Sequence, residues 1–173
     1  KSVGKNIVSG NGFEIYSKNS DFDGVKLWNF LLDKGSPVGL MPSDVSSMHI
    51  RRIEAGILDY GTDIDQSLNP FEIGLDRLVH LEKVDFIGRK ALMETNHKTL
   101  RLKGLVCGEA SLTRGDKLVD SGKEIGFVSA GAWSPYLESG VGLIRLNETK
   151  PSDHKLKVVT SSGEFDAKVV DLP

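Results

Sequence analysis

A chain of 173 residues with 39% hydrophobic and 27% charged residues has the balance of an ordinary folded protein, large enough for one compact domain or two small ones. Lys and Arg number 22 against 24 Asp and Glu, a formal net charge of −2 without a basic stripe, which excludes nucleic acid as an expected partner. No run approaches the roughly 18–20 consecutive apolar residues of a membrane helix and Cys107 is the sole cysteine, so neither a membrane partner nor a disulfide framework is expected, and a reducing, cytoplasmic setting is. The start at Lys1, without an initiator methionine, is what a segment of a longer protein would show.

The residues Gly12-Phe13-Glu14-Ile15-Tyr16 alternate, so a strand there sets Phe13 and Ile15 on one side and Glu14 and Tyr16 on the other. Asp21 to Lys34 has the spacing of an amphipathic helix, with Leu27, Trp28, Leu31 and Leu32 in one stripe and Gly35 as its stop. A short strand is expected at Val38 to Leu40. Ser43 is placed to cap a second helix through Ala55, with Gly56 ending it. Its inward positions by helical spacing are Val45, Met48, His49, Arg52 and Ile53. Asp59 to Asn69 is polar and broken by Gly61, hence loop; Pro70 to Leu81 is expected to be extended, and Asp85 to about Asn96 to be a third helix.

From Leu102 onward the texture changes. Short β-rich runs (Leu102–Cys107, Lys117–Val119, Glu124–Ala130, Val141–Arg145, Leu156–Thr160 and Glu164–Val170) alternate with Gly, Ser, Asp and Pro turns, the pattern of a small all-β barrel or sandwich. The expected class is therefore α+β, with a mixed unit over residues 1–97 and a β unit over 98–173.

Two constellations could carry chemistry. A carboxylate and a ring on one strand face, Glu14 and Tyr16, suit a flat heterocycle whose aminopyrimidine edge presents paired N–H donors; a merely solvated face is the plainer reading. Arg52, on an inward stripe, needs a counter-charge, either an anionic ligand or an internal carboxylate such as Glu54, Asp59 or Glu72. The aspartates between Tyr60 and Asp65 lack the glycine and terminal glutamate of a calcium loop, and His49, His80, His97 and His154 have no ligand spacing, so no metal is expected. Cys107 sits in a β run, where a buried, inert thiol is expected.

Four linked motifs go further. Gly12-Phe13-Glu14-Ile15-Tyr16, then Arg52-Ile53-Glu54-Ala55-Gly56 with Tyr60-Gly61-Thr62-Asp63-Ile64, then Pro70-Phe71-Glu72-Ile73-Gly74-Leu75, and then Asp85-Phe86-Ile87-Gly88-Arg89-Lys90-Ala91-Leu92 stand in the order of the aminomethyltransferase (glycine cleavage T-protein) folate-binding family. The tail, with Gly126 to Pro135 and Val141-Gly142-Leu143, resembles that family's C-terminal barrel domain.

The resemblance implies the second half of a folate-binding α/β lobe followed by a β barrel, with tetrahydrofolate as cofactor. Glu14 would bind the pterin ring, Tyr16 would lie beside it, and Arg52 would face the folate site. It implies further partners: a one-carbon donor, either a small molecule or one borne on a lipoyl protein, and a missing N-terminal lobe carrying the catalytic aspartate. No residue here corresponds to that aspartate. Arg77, within Gly74-Leu75-Asp76-Arg77-Leu78-Val79, departs from the tryptophan common in glycine-cleavage enzymes and is similar to the branch of dimethylsulfoniopropionate demethylase. The resemblance thus leaves an aminomethyltransferase, a sulfonium demethylase or a non-catalytic folate-binding protein open, with Glu14, Tyr16, Arg52 and Arg77 as the cofactor-binding candidates.

Overall fold

The computed structural model describes residues 15–18, 21–95, 100–147 and 156–172. Glu14 and most of the first expected strand lie outside these, while Ile15 and Tyr16 are exposed and belong to no regular element.

Helix α1 is Gly24–Gly35, begun by Asp23, whose carboxylate accepts from the Lys26 amide at 2.9 Å. Its expected stripe is only half-buried at Leu27, Leu31 and Leu32, and Trp28 remains 51% exposed. The strand expected at Val38–Leu40 does not form. Pro37 instead leads a 3-10 turn over Ser36–Val38, Gly39 takes φ +89°, and the Leu40 amide returns to the Gly35 carbonyl at 3.0 Å.

Helix α2 is Val45–Glu54, and its cap is Asp44 rather than Ser43: the carboxylate accepts from the Ser47 amide at 2.9 Å. Ile53 is buried and His49, Ile50 and Arg52 are half-buried, whereas Val45 and Met48, expected inward, are exposed. Gly56, at φ +65°, ends the helix as expected, and the next amide, Ile57, closes onto the Arg52 carbonyl at 2.8 Å.

Residues 59–69 form the expected loop. Pro70 to Leu81 is not extended; it folds into successive turns with a 3-10 turn at Asp76–Leu78. The cause is local side-chain competition for the backbone. The Asn69 side chain accepts from the Phe71 amide at 2.9 Å, while Glu72 accepts from both the backbone and the side chain of Asn69 at 2.9 and 2.7 Å. The third helix shortens to α3, Arg89–Glu94, because Gly88 at φ +87° turns the chain at its entrance.

Among the described residues seven strands follow: β1 Leu102–Cys107, β2 Lys117–Asp120, β3 Lys123–Ser134, β4 Ser139–Leu146, β5 Leu156–Thr160, β6 Gly163–Asp166 and β7 Lys168–Val170. They make one antiparallel sheet in the order β6-β5-β2-β3-β4-β1-β7, which curls so that β5 approaches β7. Its interior is lined by Leu105, Leu112, Leu118, Val128, Ile144 and Val158, and Cys107 is fully buried there. A second cluster joins Ile53 of α2 to Ala130, Val141 and Leu143, so α2 lies against β3 and β4. The protein is thus α+β, helices first and a barrel-like sheet after. Among the described residues no helix is long and apolar enough to cross a membrane.

The loop is pinned to the sheet by Arg145, which donates to Asp65 Oδ2 and to Ser67 Oγ, each at 2.7 Å, and whose guanidinium lies over the Phe127 ring. The Arg145 hydrogen bond, and then those from Ser67, hold the Asp65 carboxyl well below its ordinary value of 3.8. A depressed folded-state value contributes stability that is complete above that ordinary value and disappears as the pH falls below it. The thermal unfolding midpoints of Asp65→Asn and the unmodified protein should therefore draw together as the pH falls below about 4. The variant's deficit should be constant above about pH 5, as followed by thermal unfolding from pH 7 to 2.

Candidate functional site

The charged residues of the Arg52-Ile53-Glu54-Ala55-Gly56 motif each find a partner within the fold. Arg52 Nη1 donates to Asp63 Oδ2 at 2.7 Å and to the Ile57 carbonyl at 3.1 Å. Its counter-charge is therefore Asp63, not Glu54, Asp59 or Glu72. Asp63 is fully buried and fully engaged: Oδ2 also accepts from the Asp59 amide at 3.0 Å, and Oδ1 accepts from Ser129 Oγ at 2.7 Å. Ser129 sits at a bulge of β3, where the pairing with β4 slips between Val128 and Ala130. Three consecutive residues, Val128 to Ala130, are consequently buried, and the extra one reaches the carboxylate.

A second tie runs beside the first. Ser134 Oγ donates to Glu54 Oε1 at 2.6 Å and accepts from the Leu137 amide at 3.0 Å. Helix α2 is thus fastened to β3 at Ser129 and at Ser134, and between these points the strand runs through Gly131, Ala132 and Trp133.

Those three residues form one wall of an open groove of about 650 Å³, with Ser46, His49 and Ile50 of α2 opposite and Ser111 to Thr113 at its floor. Gly131 is required here. A Cβ at that position would come within 2.6 Å of the Leu112 backbone, so only glycine lets the floor and the strand meet. The groove is mostly apolar, Trp133 is 39% exposed, and among the described residues no Asp, Glu, Lys or Arg lines it.

The expected site residues fall in different places. Tyr16 is at the surface, 80% exposed, and Glu14 lies outside the described residues. Arg52 is half-buried in its ion pair, and Arg77 is exposed in the 3-10 turn Asp76–Leu78. Sequence reasoning missed Asp63, Ser129 and Ser134 as the partners that seat α2. The available signal was the small-residue stretch Ser129-Ala130-Gly131-Ala132, which marks close approach to a neighbour rather than a free strand face.

Chemically, the groove suits an uncharged planar ring: an indole wall, aliphatic sides, and hydroxyl and imidazole groups at its edges. Among the described residues its lining supplies neither a carboxylate nor a fixed cation.

Known proteins are similar to this chain in sequence and fold. The GCVT N-terminal domain model matches residues 7–83, and the glycine cleavage T-protein C-terminal barrel domain model matches residues 101–173. An aminomethyltransferase of Halothermothrix orenii is 32% identical over 167 residues, 94% of this chain and 46% of the relative. Those of Koribacter versatilis and Pseudothermotoga lettingae are each 35% identical, over 92% and 94% of this chain and 43% and 45% of their own lengths. The chain therefore spans less than half the length of these curated relatives. The crystal structure of glycine cleavage system aminomethyltransferase T from Bartonella henselae has the same fold, with a TM-score of 0.71 at 22% identity over 87% of this chain and 43% of that one. With both domain models matched in order and the fold shared, the chain belongs to the aminomethyltransferase (glycine cleavage T-protein) family.

Proposed function

We propose that the chain forms the C-terminal part of a tetrahydrofolate-dependent aminomethyltransferase, working in the cytoplasm with a lipoyl-protein-borne aminomethyl donor. The supporting observation is the succession of the two domain matches, with the second motif's helix seated on the barrel strand that walls the groove. Bound tetrahydrofolate would supply the nucleophilic nitrogens that accept the one-carbon unit. The chain's own residues bind and orient it, and orientation of two reactants is itself a large part of such catalysis.

In this reading Glu14 receives the paired N–H donors of the pterin edge and Tyr16 packs beside the ring. Arg52 acts through its ion pair with Asp63, holding α2 against the sheet. Arg77, on the exposed turn, meets the cofactor or donor from the surface. The catalytic aspartate comes from a preceding lobe, and residues 1–97 and 98–173 are two units of one assembly. Arg77 within its Gly74-to-Val79 string also favours a second reading, a demethylase that takes a methyl group from a sulfonium donor.

Calorimetric titration of tetrahydrofolate into the full-length protein tests the site. Glu14→Ala should weaken binding by at least about tenfold, the scale of one lost charge-assisted hydrogen bond. Equal affinity in the variant would remove Glu14 from the site.

A further inference from the structure

We draw no further inference here: the strongest candidate, the exposed apolar stripe of helix α1 around Val25 and Trp28, carries nothing because nothing in the structure shows what covers it.

Discussion

Asp63→Ala should destabilise the protein by about 3–5 kcal/mol, the cost of breaking a buried ion pair by removing one member. The Asp63 side chain is wholly buried and that of Arg52 only 17% exposed, so water cannot replace what is lost. The carboxylate also satisfies the Asp59 amide and the Ser129 hydroxyl, and both would be left without their acceptor. Since small domains are stable by only about 5–15 kcal/mol, the variant would lose a large share of its stability. Urea unfolding should show a lowered midpoint with an unchanged slope. The surface pair Lys117–Glu124 is the control: both side chains are about half-exposed, and Lys117→Ala should cost no more than about 1 kcal/mol. A comparable loss in the two variants would show that the Arg52–Asp63–Ser129 link does not hold α2 to the sheet.

Gly140→Ala is the second large effect, although it adds a single methyl group. Gly140 pairs with Cys107 on one side and Trp133 on the other, and a Cβ there would overlap the Ala110 carbonyl oxygen and lie 3.2 Å from that of Cys107. Both obstacles are backbone atoms, so no rotamer change relieves them and β1 and the segment after it must shift. The expected cost is at or above the roughly 3 kcal/mol upper end of ordinary overpacking. Thermal unfolding measures it, and Gly108→Ala, where a Cβ meets nothing within 4 Å, should leave the melting temperature nearly unchanged.

How much of this was legible in the amino-acid order differed along the chain. Leu102–Cys107 and Leu156–Thr160 fall where short β-rich runs bounded by turn residues place them. Strand β3 is longer than Glu124–Ala130, since its bulge and its small residues Ala130 to Ala132 hide the alternation. The run Glu164–Val170 divides into β6 and β7 because its halves pair with different strands, β5 and β1, which a single period cannot reveal. Pro70 to Leu81 folds into turns rather than an extended run because Asn69 and Glu72 hydrogen-bond locally, an effect of particular side chains rather than of hydrophobic pattern.

The site was legible to a similar degree. Helical spacing placed Arg52 inward and required a counter-charge for it. That the partner is Asp63 depends on the non-periodic turns of residues 59–64, whose amides at Asp63 and Ile64 fold back onto the Asp59 carbonyl. Burial of Asp63 depends in turn on Ser129, 66 positions away in a bulge. The groove itself exists only once α2 and β3 are brought together, so neither His49 nor Trp133 could be assigned to it from spacing alone.

The proposed tetrahydrofolate-dependent one-carbon transfer is tested most directly by turnover of the full-length protein. A lipoyl protein loaded with the aminomethyl group is supplied as donor, and ammonia is measured with and without tetrahydrofolate. Ammonia release that requires tetrahydrofolate is the predicted result. Absence of release, with tetrahydrofolate-dependent consumption of a sulfonium donor in a parallel reaction, would contradict the aminomethyl assignment, and inactivity toward both donors would contradict the claim of transfer altogether.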